Sequence, residues 1–217
     1  MAATGLEKMV AYLKISKYLK SKNVEEALLK VDRKHFIPRE LHDEAYSDIA
    51  LPIGLGQTIS APTVVTFMLE KLEIKKGMKI LEIGTGSGYN TALLAELVGK
   101  EGKVFTIEDV EELVDVAKKN VMSFKEEYLN VTYIFGDGSG GYPEEAPFDR
   151  IIVTAGMPVL DDDHPLILQL KKDGKLIAPV GSRISQNLIL YDAKNKSYQT
   201  VLPVTFVPLI GEFGFPP

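Results

Sequence analysis

The clearest capacity for chemistry lies in Glu82-Ile83-Gly84-Thr85-Gly86-Ser87-Gly88, where three glycines at alternate positions follow the apolar run Ile80-Leu81 and precede Thr91-Ala92-Leu93-Leu94-Ala95. A strand that turns into a helix over glycines leaves free backbone N–H groups and the positive helix end beside a ligand that meets no Cβ. In open α/β sheets such a turn lies outside the carboxyl ends of the strands, where nucleotide-like cofactors bind.

The spacing narrows the ligand. Dinucleotide turns need G-x-G-x-x-G, and here Tyr89 stands where the third glycine belongs; no Gly-Lys-Ser/Thr follows, so it is not a phosphate-cradling P-loop. The form Glu82-x-Gly84-x-Gly86-x-Gly88 after an apolar strand resembles the first motif of class I S-adenosylmethionine-dependent methyltransferases. The resemblance implies that Glu82, Gly84, Thr85, Gly86, Ser87 and Gly88 hold S-adenosyl-L-methionine. Glu108 closes the next β run, Val104-Phe105-Thr106-Ile107, about 20 residues beyond the turn, where a carboxylate can accept from both ribose hydroxyls; otherwise it is a solvated acid. Asp137-Gly138 follows Val131-Thr132-Tyr133-Ile134-Phe135 and is placed to meet the adenine amino group, the plain alternative being an Asx turn.

The fourth β run, Phe148 to Val153, ends in Thr154-Ala155-Gly156-Met157-Pro158. Methyltransferases acting on amino groups commonly carry Asp/Asn-Pro-Pro-aromatic at this point, and this chain does not. With no cysteine anywhere and no histidine at these strand ends, the acceptor is expected to need no deprotonation, and a carboxylate, ionised at neutral pH, qualifies.

The elements that must position these groups follow from pattern. Leu6, Val10 and Leu13, with Met9 and Tyr12, predict an amphipathic first helix; Asn23 reads as the N-cap of a second, with Val24, Ala27, Leu28 and Val31 as its apolar stripe. The stretch from Arg39 to Leu55 has little periodicity and reads as surface chain, leading to the loop Gly54 to Pro62, where Ser60 reads as the N-cap of a third helix. From Lys79 onward strand and helix alternate: a helix from Glu111 to Val121, another from about Pro165 to Leu170 behind the charge cluster Asp161-Asp162-Asp163, and a strand over Lys175 to Val180. This predicts a doubly wound, mainly parallel α/β sheet. Asn187 to Asp192 and Tyr198 to Val207 then finish it as an antiparallel hairpin. The expected organisation is one domain over 1–217, with a helical and loop extension over 1–55 and the α/β core over 56–217.

Composition sets the limits. The chain of 217 residues, 45% hydrophobic, can bury a core without staples, and its net charge of -5 argues against affinity built on phosphate neutralisation. No basic segment with an apolar run opens the chain at Met1, and no uncharged stretch is of membrane-spanning length, so a cytoplasmic protein is expected. The lack of cysteine and the excess of lysine over arginine fit a heat-adapted source. The Asp161 to Asp163 cluster reads as a helix N-terminal feature, and no metal site is expected.

Taken in order, Gly56-Gln57-Thr58-Ile59-Ser60-Ala61-Pro62, the glycine turn, Gly136-Asp137-Gly138-Ser139, Ala146-Pro147-Phe148-Asp149, Gly174-Lys175-Leu176 with Pro179-Val180-Gly181, and Phe206-Val207-Pro208-Leu209 resemble the protein-L-isoaspartate O-methyltransferase family over almost the whole chain. The resemblance implies transfer of the S-adenosylmethionine methyl group to the α-carboxylate of L-isoaspartyl residues, leaving S-adenosyl-L-homocysteine. It implies Ser60 as the catalytic residue, Gln57, Thr58 and Ile59 bordering the cofactor, and Thr58, Val207, Pro208 and Leu209 against the peptide. Partners would be damaged peptides and proteins, with neither nucleic acid nor membrane, and a monomer is the simplest state. Two positions depart from the family: Thr63 where histidine is usual after Ser-Ala-Pro, and Gly140 where lysine is frequent after Asp-Gly-Ser. The alternatives are another class I methyltransferase, for a small carboxylic acid or RNA, and a cofactor-binding protein without catalysis, the latter motivated by Thr63.

Overall fold

A computed structural model describes residues 3–124 and 128–217; Met1 and Ala2 of the opening stretch lie outside it. Thr4 opens α1 (Gly5–Ile15) through a capping box with Glu7. The second helix, α2 (Lys22–Lys30), starts earlier than expected: Ser21 is its N-cap, and Asn23 lies inside it, donating its side-chain amide to the Ile74 carbonyl at 3.2 Å. Ser21 is itself held by Glu70, which accepts from its backbone N–H at 2.8 Å and its hydroxyl at 2.5 Å. A tertiary partner has therefore displaced the local capping signal.

A 3₁₀ turn over Arg33–Phe36 precedes the stretch read as irregular surface chain, Arg39 to Leu55, which itself contains a second 3₁₀ turn, Arg39–Glu44, and β1 (Leu51–Gly54); β1 pairs antiparallel with β2 (Gln57–Ile59) in the loop that follows. Strands of four and three residues are too short to show a period of two. The third helix, α3 (Pro62–Leu72), has Ala61 rather than Ser60 as its N-cap. The carboxylate that satisfies its first turn comes from Asp48, which accepts the Thr63 N–H at 2.8 Å.

Strand and helix then alternate as expected: β3 (Lys79–Ile83), α4 (Tyr89–Val98), β4 (Lys103–Glu108), α5 (Glu111–Phe124), β5 (Val131–Phe135), β6 (Phe148–Val153), α6 (Pro165–Leu168), β7 (Leu170–Gly181), β8 (Gln186–Asp192) and β9 (Ser197–Val204). They form a seven-stranded sheet in the order β5-β4-β3-β6-β7-β8-β9. The five strands β3 to β7 pair in parallel, and β8 and β9 close the sheet antiparallel. The switch point lies between β3 and β6, whose outward windings diverge. His164, not the preceding aspartates, caps α6, its Nδ1 accepting from Leu166 N–H at 3.2 Å; Asp162 instead accepts from the Tyr198 hydroxyl at 2.7 Å.

The central strands read as continuous apolar runs because both sheet faces are covered. Ile80, Val104, Ile152 and Ile177 face a cluster built with Met9, Leu13, Leu28, Leu69 and Leu93 of the helices. Their neighbours Leu81, Ile83, Phe105, Ile107, Ile151 and Val153 face a second cluster with Leu166 and Leu209. The N-terminal helices thus pack into the same core as the sheet. Among the described residues no helix is long and apolar enough to cross a membrane. Leu28 is fully buried in the first cluster, so Leu28→Ala should cost about 2–5 kcal/mol. Guanidinium unfolding followed by circular dichroism should show one transition shifted as a whole; separate loss of the helical extension would contradict the shared core.

Candidate active site

The glycine turn rests on a buried carboxylate. Glu82, fully buried in β3, accepts from the Asn90 side-chain amide at 2.8 Å, the Thr91 hydroxyl at 2.5 Å and the Thr106 hydroxyl at 2.7 Å. These donors lie on α4 and β4, so one side chain ties the strand before the turn to the helix after it and to the neighbouring strand. The Thr106 hydroxyl also lies 2.6 Å from that of Thr85 in the turn. Burial pushes the Glu82 carboxyl up to about 7, against the opposing pull of its three donors.

The turn can be made only by glycine at two points. Gly84 has φ of +91°, and a Cβ there would lie 2.4 Å from Thr154 Oγ1, whose hydroxyl donates to the carbonyls of Ile83 and Gly84 at 2.9 and 2.7 Å. Gly88, the N-cap of α4, has φ of +88°, and a Cβ would meet Val121 at 2.9 Å. Glu108 holds the crest of the turn, accepting the Gly86 N–H at 2.8 Å and the Val110 N–H at 3.2 Å. Burial raises the pKa of its carboxyl, and those two amides oppose the rise.

A cleft of about 970 Å³, counted with its open mouth, lies over this turn. Of the residues expected at a cofactor, Gln57, Thr58, Ile59, Gly84, Thr85, Gly86, Ser87, Glu108 and Gly138 line it. Glu82 and Gly88 do not; they form its foundation. Asp137 is also absent from the lining: one carboxylate oxygen accepts the Ser139 N–H at 2.8 Å and the other the Glu212 N–H at 2.8 Å. Burial alone would raise the Asp137 pKa, but the Glu212 and Ser139 donors pull it below the ordinary value. Ser139 continues the contact, its Oγ accepting from Phe213 N–H at 3.0 Å, so this loop anchors the C-terminal tail.

Ser60, Val207, Pro208 and Leu209 line the same cleft. The Ser60 hydroxyl has no hydrogen-bond partner among the described residues, while its carbonyl accepts from Arg33 at 3.2 Å. Val207 to Leu209 is held extended beside the end of β6: Gly156 N–H donates to the Val207 carbonyl, and Leu209 N–H donates to the Gly156 carbonyl, both at 2.7 Å. One family departure has a local explanation: Thr63 donates its hydroxyl to Asp48 at 2.5 Å. Nothing in the structure explains Gly140, where a Cβ would meet the Phe213 ring at 3.5 Å, an ordinary contact.

The sequence reading missed Val65, Met68, Asn90, Asp109, Thr154 and Ile210, which also line the cleft. Asn90 and Thr154 carry a usable signal, being polar side chains beside otherwise apolar runs; Val65 and Met68 carry none, being apolar residues of α3. Among the described lining residues Glu108 and Asp109 are acidic and none is cationic, a field that suits a positively charged ligand such as S-adenosylmethionine. Turn backbone facing the cleft, a carboxylate at the end of β4 and apolar walls from Ile83, Ile107 and Met68 fit that cofactor's ribose, adenine and aliphatic parts. No group of three or more His, Asp or Glu side chains among the described residues could hold a metal ion.

The family described as Protein-L-isoaspartate(D-aspartate) O-methyltransferase matches residues 4–214. The chain belongs to this family. It is an S-adenosylmethionine-dependent O-methyltransferase. Curated relatives named protein-L-isoaspartate O-methyltransferase include one from Methanococcus aeolicus, 49% identical over 217 residues, covering 99% of this chain and 98% of that protein. Another, from Hyperthermus butylicus, is 48% identical over 210 residues, covering 91% and 85%. A solved structure described as a family protein from Plasmodium falciparum, in complex with S-adenosyl-L-homocysteine, matches with a TM-score of 0.85 at 28% identity, covering 96% of this chain and 99% of that one.

The Glu82 network has a pH signature. A carboxyl whose pKa is raised from 4.5 to about 7 on folding contributes stability that is fully present below the unfolded value and is lost as pH rises through the folded one. Between pH 5 and pH 8 the wild type should lose on the order of 2–3 kcal/mol relative to Glu82→Gln. Guanidinium unfolding of both proteins at the two pH values measures this; parallel pH dependence would show that Glu82 keeps an ordinary pKa.

Proposed function

We propose that this cleft moves the methyl group of S-adenosylmethionine onto the free α-carboxylate of L-isoaspartyl residues in damaged proteins and peptides, with Ser60 as the catalytic residue. The observation that carries the reading is the Ser60 hydroxyl, without a hydrogen-bond partner among the described residues and in the same cleft as the glycine turn. Bound S-adenosylmethionine supplies an electrophilic methyl on a sulfonium. The chain's own work is to place the acceptor. The Ser60 Oγ–H donates to one oxygen of the substrate carboxylate, leaving the other aligned for in-line attack. Orientation and exclusion of water account for the acceleration, and no covalent intermediate with the protein is needed.

The remaining roles follow from position. Glu108 accepts from the ribose hydroxyls with the lone pairs that the Gly86 and Val110 amides leave free. Gly138 and the backbone of Gly84 to Ser87 border the adenosyl group, and Gln57 to Ile59 cover it. Val207 and Leu209 face Gly156 with their paired groups, which turns the Pro208 carbonyl to the opposite edge. A peptide can run along that edge as an added strand, with Thr58 on its other side.

Incubation with methyl-labelled cofactor and matched isoaspartyl and aspartyl peptides tests the reading. Label is expected on the isoaspartyl peptide alone; transfer to neither peptide, with label passing to another acceptor, would overturn it. In the same assay Ser60→Ala should lower kcat about 100-fold while S-adenosylhomocysteine affinity, measured by calorimetry, changes about three-fold at most. Equal turnover of variant and wild type would remove Ser60 from catalysis.

A further inference from the structure

The Ser60 loop is gripped from behind by two side chains outside the cleft lining. Arg33, in the first 3₁₀ turn, is fully buried, and every partner it has is a carbonyl: Nη1 donates to Ala45 at 2.7 Å, and Nη2 donates to Ile49 at 3.0 Å and Ser60 at 3.2 Å. Its Nε has no hydrogen-bond partner among the described residues. Asp48 holds the other end of the loop, accepting both the N–H and the hydroxyl of Thr63. Between these grips, β2 is fixed by its register with β1, Leu51 opposite Ile59 and Pro52 opposite Thr58.

We propose that Arg33 and Asp48 are positioning residues that set the Ser60 hydroxyl against the acceptor carboxylate and act on turnover rather than on cofactor affinity. The inference rests on the assignment of Ser60 to that carboxylate. A buried guanidinium that hydrogen-bonds only carbonyls, with the Asp48 carboxylate acting on it through space, is costly in desolvation, and a fold needing only a filled core would place an apolar side chain there. What arginine adds is a rigid planar fork that reaches three carbonyls from separate stretches of chain, a geometry lysine lacks. One of the three is the carbonyl of Ser60 itself, so a shift of Arg33 moves the backbone that carries the hydroxyl. Thr63 then has a defined task, because with Asp48 it fixes the start of α3 three residues beyond Ser60. A misplacement of about 1 Å at an aligned donor costs on the order of 100-fold in rate.

The test compares wild type with Arg33→Met, Arg33→Lys, Asp48→Ala and Thr63→Val in the full chain. Hydrogen exchange by mass spectrometry is read over residues 56–66 and, as an internal control, over 84–92; kcat and KM are measured with an isoaspartyl peptide, and S-adenosylhomocysteine affinity by calorimetry. Faster exchange over 56–66 alone is expected in all four variants. The fall in kcat should be about 10-fold for Asp48→Ala and Thr63→Val and about 100-fold for Arg33→Met, with partial recovery in Arg33→Lys and cofactor affinity within about three-fold. The proposal is overturned by wild-type exchange over 56–66, by faster exchange with unchanged kcat, or by cofactor affinity falling as far as kcat. Asp48→Ala and Thr63→Val alter partly exposed groups, so they decide the matter even where Arg33→Met fails to fold. A wild type inactive on every isoaspartyl peptide would sink the functional reading alone, and the exchange data would still decide whether the grip exists.

Discussion

The cleft depends on one buried carboxylate. Glu82 ties the incoming strand to the outgoing helix and the adjacent strand, its three donors coming from α4 and β4. Without that tie the glycine turn would be a flexible connection, because the residues that give it its shape contribute no side-chain packing of their own. An unpaired carboxylate at that depth would be prohibitive; satisfied by two hydroxyls and an amide, it becomes a fixed point beneath the cofactor. The functional value of Glu82 is thus indirect, and its place under the cleft explains why an acid precedes the glycines.

Under the proposed function, the two reactants are held by parts of the chain with different kinds of rigidity. The donor side is built on the central strands β3, β4 and β6, covered on both faces. The acceptor side is built on short elements, a pair of brief strands and an extended segment after β9, which lack cores of their own. Their order comes from polar contacts to distant side chains: Arg33 and Asp48 for the Ser60 loop, Gly156 for Val207 to Leu209, and Asp137 with Ser139 for the tail beyond it. Such contacts are directional where apolar packing is not, and direction is what an in-line transfer requires.

This division also determines what could be read from the sequence. The alternation of strand and helix, the glycine turn, Glu108 at the end of β4 and the final hairpin are local patterns, and each appears in the structure where its residues predict it. Where partners lie far apart in the chain, the reading failed or stayed incomplete. Ser60 resembles an N-cap, yet the oxygen that serves α3 belongs to Asp48, 15 residues before Thr63. Asn23 resembles a cap as well, and the true cap, Ser21, is selected by Glu70, 49 residues away. Asp137 is placed by its motif at a strand end, but no local pattern shows that its carboxylate also accepts from Glu212 N–H, 75 residues on. Periodicity carries no trace of such pairings, since they arise only once the sheet has brought strand ends together.

The central claim is that donor turn and acceptor loop close on one cleft. The most direct test is a crystal structure of the ternary complex with S-adenosyl-L-homocysteine and an isoaspartyl peptide. The account predicts the homocysteine sulfur above the Gly84 to Gly88 turn, the ribose on Glu108, the peptide backbone along Pro208, and the α-carboxylate within hydrogen-bond distance, about 2.5–3.0 Å, of Ser60 Oγ. A complex in which the carboxylate is bound away from Ser60, or the peptide away from Val207 to Leu209, would contradict it.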